Sequence, residues 1–545
     1  MQIHARLLSN LYTVFPESAP DAELTRDTIA RNEVYSFQLA YTIEGTKENA
    51  ESVVMSIDSD IPVNVREIEY VPVLRPSYGK TDDWFLNDKR PGLYPDPLVP
   101  VKYECLRGIC GTWKSLWFTV NADMDALSSG EHEITVKLSL VPDPENVVEK
   151  KLTLSVLPAS LPKQTVLATN WLHCDCIAIA EKCKPFSAKF WDELRKYVTI
   201  AAKNGQNLVL TPMFTPPLDT PIGGERMTVQ LVQIEKTESG YKFDFSLAEK
   251  FIDLCLECGM ENFEHSHLFT QWGAYNAPKI VARVNGKLKK IFGWKTDAAG
   301  EEYQNFLHEY LTELKKFIKS KGLEKHFIFH VSDEPKESQI ESYAAAVNLV
   351  HRELEGCLIG DALSDYKFYE NGLVNMPIPV TNTVHDFIGK ADPLWVYFTG
   401  ACSANYRTNR LIGMTAVRNR ILGTLMYYYK IQGFLQWGFN FWFNRLSEKP
   451  YDPYRMPDAD QYFVGGTSYL VYPGAIESMR LHYFRDAMQD IRMLKLLESY
   501  AGFDYVHDLI EKYFPGIRFD YRPISETEFE AFRNAVTEEI AKFTK

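Results

Sequence analysis

The feature that most constrains the fold of this chain is a change in hydrophobic periodicity near residue 160. Before that point, short segments such as 36–41, 115–120 and 133–138 alternate apolar and polar residues. A period of two over such lengths indicates half-buried β-strands, and Asp, Asn, Gly and Pro residues break the segments apart. We therefore expect an all-β sandwich domain over residues 1–160, with 152–156 as its last strand.

Beyond a proline-flanked linker, the pattern becomes a regular alternation of strands and helices. The predicted strands are 166–171, 207–211, 263–270, 326–331, 358–363, 379–383, 394–398 and 434–441. The main predicted helices are 189–203, 248–258, 303–320, 339–354, 411–431 and 475–500, with long polar insertions after the second and third strands. This alternation predicts an α/β fold. We expect a (β/α)8 TIM barrel over residues 161–500, and this barrel would be the catalytic domain. Residues 501–545 are predicted to form a short helical C-terminal extension.

Composition and charge narrow the class of partner. The chain of 545 residues carries a formal net charge of −13, which argues against nucleic acid or an anionic membrane as its main partner. No apolar run approaches the roughly 20 residues of a membrane span, and the N-terminus lacks the pattern of a signal peptide. We expect a cytoplasmic protein with reduced cysteines. The sequence leaves a homo-oligomer open.

An adjacent pair of carboxylates, Asp333 and Glu334, follows the fourth predicted strand. Active sites of such barrels lie at the C-terminal ends of the strands. Two carboxylates this close repel each other, so the pKa of one should rise, and such a group can act as a general acid near neutral pH. Asp-Glu-Pro is equally plausible as a turn or a helix start. Strand alternation would separate the two side chains unless the chain turns before Pro335.

Other strand ends are also polar or aromatic. Aromatic faces can stack on a sugar ring while imidazole, amide and carboxylate groups bind its hydroxyls, so these residues are candidates for substrate binding. The alternative is that the aromatic side chains among these residues simply belong to the core of a large barrel. The candidates are His173, His267, Trp272, Asp361, Tyr397, Trp437, Asn440 and Trp442.

The sequence favours neither a metal nor a cofactor. His265 and His267 form a short His-x-His, but neither they nor the cysteines have the paired spacing of a structural zinc site. Glycine-rich nucleotide-binding motifs and the nucleophile elbow of serine esterases do not occur. We therefore expect neither a metal ion nor a cofactor.

The segment 330–335, His-Val-Ser-Asp-Glu-Pro, resembles the Ser-Asp-Glu-Pro signature of glycoside hydrolase family 123. It is still more similar to the related bacterial proteins called domain of unknown function 4091. Further similar segments are LTPMFTPPLDT at 210–220, SHLFTQWGA at 266–274, GDALS at 360–364, GFLQWGFNFW at 433–442 and the stretch 471–481. The similarity covers most of residues 160–500.

This resemblance implies a retaining exo-β-N-acetylhexosaminidase, typically acting on a terminal N-acetyl-β-galactosamine of a glycan. Such enzymes use substrate-assisted catalysis, in which the acetamide oxygen of the sugar is the nucleophile. By the resemblance, Glu334 is the general acid/base, Asp333 orients the acetamide nitrogen, and Tyr397 is a candidate for holding the acetamide.

Two other functions stay open at this point. A glycosidase of different sugar specificity could keep Glu334 as acid and use a separate carboxylate, such as Asp361 or Asp365, as base or nucleophile. A non-catalytic carbohydrate-binding barrel is the third hypothesis, against which the intact pair Asp333 and Glu334 argues weakly.

Overall fold

The structure, a computed structural model, describes residues 1–45, 50–79, 81–101 and 105–544. It has an N-terminal β-rich domain followed by an α/β domain. The N-terminal strands are β1 (Gln2–Ser9), β2 (Arg26–Ile29), β3 (Tyr35–Glu44), β4 (Ala50–Ser59), β5 (Val63–Val73), β6 (Gly92–Pro100), β7 (Cys105–Ile109), β8 (Lys114–Val120), β9 (Gly130–Leu140) and β10 (Asp143–Val156).

These strands form two sheets, as the alternating pattern predicts. One sheet contains β1, β3, β8, β5 and β6 in that spatial order, and the other contains β2, β10, β9, β4 and β7. Apolar side chains of both sheets, including Phe37, Phe118 and Leu154, pack into a shared core. Sheets packed in this way place hydrophobic residues inward and polar residues outward along each strand.

The α/β domain contributes fourteen further strands to the described residues. They are β11 (Leu167–Asn170), β12 (Leu208–Thr211), β13 (Gln233–Thr237), β14 (Gly240–Asp244), β15 (Asn262–His265), β16 (Ile280–Val284), β17 (Lys287–Phe292), β18 (Phe327–Phe329), β19 (Leu358–Leu363), β20 (Met376–Pro379), β21 (Trp395–Tyr397), β22 (Gly433–Gln436), β23 (Val471–Tyr472) and β24 (Ile476–Ser478).

Eight of these strands run parallel. Strands β12, β15, β18, β19 and β20 form one sheet, and β11, β22 and β21 form another. A parallel bridge between Val380 and Tyr397 joins β20 to β21. At the other junction, the side chain of Asn207, just before β12, accepts a hydrogen bond from the backbone N–H of Ala168 in β11. The C-terminal ends of all eight strands therefore lie at the same side of the domain.

Helices follow most of these strands. They are α1 (Cys174–Ala180), α2 (Ala188–Lys203), α3 (Ser246–Glu257), α4 (Glu301–Ser320), α5 (Ile340–Glu353), α6 (Lys367–Glu370), α7 (Ala416–Arg420), α8 (Leu422–Tyr428), α9 (Met479–Ala501), α10 (Phe503–Tyr513) and α11 (Glu526–Phe543). Local sequence sets several helix starts: the Ser187 hydroxyl caps α2, and Ser525 with Glu528 forms a capping box at α11.

Several details differ from the sequence prediction. The predicted strands 263–270 and 434–441 end already at His265 and Gln436, so His267 and Asn440 lie beyond them. The predicted helix 411–431 is two short helices, because Thr415 caps a helix that starts only at Ala416, and α7 ends at Arg420. The sixth strand lies at Met376–Pro379 rather than 379–383, although prolines are rare in strands. The two polar insertions contain the strands β13, β14, β16 and β17, which pair into a small separate sheet.

The two domains are joined through α9, which is almost entirely buried although much of its sequence is polar. Arg480 forms a salt bridge with Asp96 of the N-terminal domain, with Nε 2.8 Å from Oδ1. The indole N–H of Trp117 donates to Nδ1 of His482 at 2.9 Å. Strand β24, directly before α9, pairs with β6 and so extends the N-terminal sheet. The described residues include no helix with the length and apolar character required to cross a bilayer.

Candidate active site

The carboxylate pair lies on a segment that has already left its strand. Strand β18 ends at Phe329, four residues before Asp333, so strict alternation no longer applies. The backbone of Glu334 has a φ of 45°, and its N–H donates to the carbonyl of Ala362 at 3.0 Å. This turn directs both carboxylates into one cavity. Neither residue caps a helix, because the next helical turn, Glu337–Gln339, is capped by Lys336.

The cavity lies at the C-terminal ends of the parallel strands and has a volume of about 120 Å³. Three indole rings and one phenol ring surround three carboxylates within it. The lining residues are Trp171, Leu218, Asp219, Gln271, Trp272, Asp333, Glu334, Ala362, Tyr397, Thr399, Leu435 and Trp437. Aromatic walls with a few convergent polar groups are typical of small-molecule sites.

Tyr397 is directly bonded to the pair. Its hydroxyl donates to Oε1 of Glu334 at 2.7 Å. Burial and the adjacent Glu334 raise the pKa of Tyr397 well above its usual value, so the phenol keeps its proton at all physiological pH values. Tyr397 therefore holds one oxygen of Glu334 in a fixed position.

Asp333 is the group of the pair whose ionisation is most perturbed. Burial, the neighbouring charge of Glu334 and the charge of Asp361 raise the pKa of Asp333 well above the ordinary carboxyl range. Two carboxyl groups coupled in this way release their protons in two steps that belong to the pair. The pair therefore gives up its last proton at a higher pH than an isolated carboxyl group does, which favours general acid chemistry.

A buried imidazole lies beneath the pair. His330 has Nε2 2.9 Å from Glu264 and Nδ1 2.7 Å from the carbonyl of Gly360. Burial alone would lower its pKa, but the hydrogen bonds and charges of Asp361 and Glu264 outweigh it and raise the pKa to about 10. His330 is thus a buried cation, and its charge partly offsets the rise in the pKa of Asp333.

Asp361 does not line the cavity. It is fully buried, and its carboxylate accepts hydrogen bonds from the backbone N–H groups of Val331 and Ser332, both at 2.9 Å, and from the hydroxyl of Tyr343. These bonds fasten the segment that carries the pair. Because its oxygens are occupied and inaccessible, Asp361 is not placed to act as a base toward a sugar.

His267 also lies beneath the cavity rather than in its lining. Its ring stacks on that of His330 with centroids 5.0 Å apart, and burial lowers its pKa well below the usual value. Ligand atoms of His267, His330 and Asp361 lie within 4.8 Å of one another, which is a spacing that a metal site could have. However, both nitrogens of His330 face hydrogen-bond acceptors, so this imidazolium has no lone pair to offer a metal.

Three further candidates, His173, Asn440 and Trp442, lie outside the cavity lining. Burial and the charge of Arg226 lower the pKa of His173 to about 3. Its Nδ1 therefore accepts from Arg226 at 3.1 Å, and its Nε2–H donates to the carbonyl of Trp437 at 2.7 Å. Asn440 accepts from the backbone N–H of His173 at 2.7 Å. Trp442 is buried and donates to the carbonyl of Val471, away from the cavity.

Of the predicted site residues, the structure thus brings five together in the cavity lining. They are Asp333, Glu334, Tyr397, Trp272 and Trp437. His173, His267, Asp361, Asn440 and Trp442 lie behind the lining. Asp219 was missed because it lies in a long polar insertion, outside any strand end. Trp171, the last residue of the first predicted strand, was missed although its position carried the same signal as the others.

A wider groove adjoins the cavity on the side of Glu334. Its volume is about 990 Å³, and it shares only Trp272 and Glu334 with the cavity. Asp365, considered as a separate base in the sequence, lines this groove together with Ser364, Tyr366 and Lys367. A group attached to a sugar ring in the cavity would extend into this groove past Glu334.

Comparisons with known proteins identify the chain. The model of "Glycoside hydrolase 123, catalytic domain" matches residues 171–497. Comparison with curated proteins gave no match. A solved structure of a family 123 glycoside hydrolase from Clostridium perfringens, described in connection with glycolipid glycan hydrolysis, is similar over 100% of this chain and 99% of that one, at a TM-score of 0.73 and 14% identity.

A family 39 glycoside hydrolase from Bacteroides cellulosilyticus has a TM-score of 0.32 and 7% identity, covering 86% of this chain and 82% of that one. The family 123 structure shares its fold with this chain over the whole length. The family model matches more than half of the chain, which decides the family. With the carboxylate pair in its aromatic cavity, this chain belongs to glycoside hydrolase family 123.

Proposed function

We propose that this glycoside hydrolase is a retaining exo-β-N-acetylhexosaminidase, resembling N-acetyl-β-galactosaminidases, that works by substrate-assisted catalysis. The observation that carries the proposal is the placement of Asp333, Glu334 and Tyr397 in one cavity with Trp walls. The cavity is small beside the adjoining groove, which supports removal of a terminal sugar. The substrate is a glycan that ends in an N-acetylhexosamine.

In the first step, the carbonyl oxygen of the acetamide attacks the anomeric carbon, and the bond to the leaving-group oxygen breaks. Glu334 gives its proton to that oxygen. The product is an oxazolinium ion, whose positive charge lies near the acetamide nitrogen. In the second step, water attacks the anomeric carbon while Glu334 removes a proton from that water. The bond from the anomeric carbon to the acetamide oxygen breaks, so the oxazolinium ring opens. The configuration at the anomeric carbon is retained overall.

Asp333 is suited to the acetamide nitrogen. An acetamide N–H beside Asp333 favours the charged form of that carboxyl, since a donor stabilises a carboxylate. The single proton of the pair then resides on Glu334, where the leaving group needs it. Tyr397 holds Oε1 of Glu334 before the sugar binds, and its hydroxyl can turn to the acetamide oxygen when the sugar is present.

The alternative with a separate base or nucleophile is less well supported. Asp361 is buried with its oxygens occupied, and Asp365 lies in the neighbouring groove on the leaving-group side. A non-catalytic carbohydrate-binding protein would not need a buried cation beneath a coupled carboxylate pair.

The architecture supports the same proposal. We infer that the eight parallel strands close into a (β/α)8 barrel, because the bridge from β20 to β21 and the contacts from β11 to β12 link the two sheets in a circle. The proposed domains are a β-sandwich over residues 1–160, the barrel over 161–500 and a helical extension over 501–545.

The decisive experiment compares chromogenic N-acetyl-β-galactosaminide, N-acetyl-β-glucosaminide and plain β-galactoside. We expect hydrolysis of at least one acetamido sugar, no hydrolysis of the plain hexoside and strong inhibition by a thiazoline that mimics the oxazolinium ion. Equal cleavage of the plain galactoside would show that the acetamide is not the nucleophile and would refute the mechanism.

A further inference from the structure

Asp219 is a third carboxylate in the cavity, and the proposed mechanism gives it no part in proton transfer. It lies in the insertion that follows β12. We propose that Asp219 is a specificity-determining residue, which accepts hydrogen bonds from the 3- and 4-hydroxyl groups of the sugar ring. This inference rests on the proposed function, because it takes the orientation of the ring from the roles of Asp333 and Glu334.

The surrounding structure holds Asp219 from three directions. Its backbone N–H donates to Oε1 of Gln271 at 2.7 Å, and the amide of Gln271 in turn donates to the carbonyl of Thr220 at 2.8 Å. One carboxylate oxygen, Oδ2, accepts from the backbone N–H of Leu446 at 2.8 Å. The carbonyl of Asp219 accepts from the hydroxyl of Ser447 at 2.7 Å. An aspartate that merely faced solvent would not need this support.

The backbone around Asp219 is also unusual. Asp219, Trp272, Leu446 and Ser447 all have positive φ, at 45°, 62°, 60° and 52°, and none is glycine. Such conformations are costly for residues with a side chain, and they persist where the surrounding structure enforces them, often at binding sites. Three separate loops therefore accept strained conformations to meet at the position of one carboxylate.

The carboxylate of Asp219 faces the cavity and is only partly buried. The backbone N–H groups of Leu446 and Ser447 act on it from the protein side, and the cavity side is accessible to a ligand. A carboxylate only accepts, and sugar hydroxyls are donors, so the two are complementary. Bonds from a hydroxyl to a charged acceptor in a cavity with aromatic walls are stronger than those between neutral groups.

The position of Asp219 selects which hydroxyls it meets. Its backbone N–H bonds to Gln271, and the next residue, Trp272, donates its backbone N–H to the carbonyl of Asp333 at 2.8 Å, so Asp219 lies on the Asp333 side of the pair. If Glu334 faces the bond at C1 and Asp333 faces the acetamide at C2, the ring continues to C3 and C4 toward Asp219. The hydroxyl on C6 projects from the other edge of the ring.

The test combines two variants with a set of deoxy sugars. Asp219→Ala removes the acceptor, whereas Asp219→Asn keeps an acceptor for Leu446 and leaves a polar group toward the sugar. Asp458→Asn is a matched control, because Asp458 is a buried aspartate that accepts from the backbone N–H of Gln461 but lines none of the cavity. Each protein is assayed with the aryl N-acetyl-β-hexosaminide and its 3-deoxy, 4-deoxy and 6-deoxy analogues.

We expect Asp219→Ala to lower kcat/KM for the parent sugar by roughly 100-fold, the effect of losing bonds to a charged group. On the 3-deoxy and 4-deoxy analogues, Asp219→Ala should lower kcat/KM only about tenfold relative to the wild type, because the hydroxyl that Asp219 would bind is already missing. On the 6-deoxy analogue, kcat/KM should still fall roughly 100-fold. Asp219→Asn should lose roughly three- to tenfold, and Asp458→Asn should match the wild type.

Two results would overturn the inference. An equal loss for all four substrates would mean that Asp219 only supports the loop. A loss in Asp219→Asn as complete as in Glu334→Gln would mean that Asp219 is a nucleophile or base. Calorimetric binding of the free N-acetylhexosamine and its deoxy forms adds a readout without turnover. A wild type that binds but does not hydrolyse acetamido sugars would refute the proposed function, while the pattern of affinities would still decide the role of Asp219.

Discussion

The hydroxyl of Tyr397 lies 2.7 Å from Oε1 of Glu334 and donates a hydrogen bond to it. The two residues come from different strand ends, 63 positions apart in sequence. The bond leaves the other oxygen of Glu334 free to meet a leaving group. It also means that loss of the phenol hydroxyl should change the position of the acid and not only the contacts of the sugar.

Tyr397→Phe should lower kcat/KM for an acetamido sugar by roughly 10- to 100-fold, because it removes a hydrogen bond to a charged group. The melting temperature should change little, since the ring stays buried. Steady-state kinetics of this variant, with the exposed Tyr462→Phe as control, provide the check. Unchanged kinetics in Tyr397→Phe would contradict the role of this tyrosine.

Glu334→Gln should lower kcat by roughly 1,000-fold on substrates with a poor leaving group, which is the usual contribution of general acid catalysis. The loss should be much smaller for a dinitrophenyl glycoside, whose leaving group needs no proton. Glu341→Gln is the control, because Glu341 is an exposed carboxylate at the start of α5 that lines neither the cavity nor the groove. A loss of equal size for both kinds of leaving group would exclude Glu334 as the acid.

The raised pKa of Asp333 has a consequence for the pH profile. The pair retains its last proton to a higher pH than an isolated carboxyl group does, so the basic limb of kcat/KM should lie above the ordinary carboxyl range. Asp333→Asn removes one of the two charges that repel each other. Its basic limb should move to lower pH, with kcat lowered as well. A basic limb at the same pH in both proteins would show that the carboxyls are not coupled.

The same shift makes Asp333 a cost to stability at neutral pH. A carboxyl whose folded pKa is raised binds its proton more tightly in the folded state, so the folded state loses stability as pH rises from the unfolded value, about 3.9, through the folded one. Asp333→Asn should therefore melt at a higher temperature than the wild type at pH 7, and the difference should vanish below about pH 4. Melting curves across this range would test it; a variant that melts lower at pH 7 would contradict it.

His330 should show the opposite pH dependence. Its folded pKa of about 10 lies above the usual histidine value, so its contribution to stability is complete below about pH 6.5 and is lost as pH rises toward 10. His330→Gln removes the cation between Glu264 and Asp361 and should cost about 3–5 kcal/mol in free energy of unfolding, as for a broken buried pair. Denaturant unfolding at pH 6 and pH 9 should show a smaller cost at pH 9. An equal cost at both would mean that His330 is uncharged.

Sequence by itself determined the elements and the position of the pair. The change from period-two segments to strand–helix alternation placed most of the eight parallel strands within a few residues, because burial of strand and helix faces imposes their periods locally. The same reasoning placed Asp333 and Glu334 after β18, and the resemblance of the segment 330–335 indicated the family that the comparison confirms.

Tertiary structure alone decided which polar residues reach the cavity. The sequence predicted His173, Asp361 and Asn440 as binding residues near strand ends, as it did Tyr397. In the structure their polar groups are occupied by hydrogen bonds to Trp437, Val331 and neighbouring backbone groups. Asp219 reaches the cavity from an insertion without periodicity, held by loops that are distant in sequence. The direction and the exposure of a side chain depend on hydrogen-bond partners that are distant in sequence, and no local sequence pattern specifies those partners.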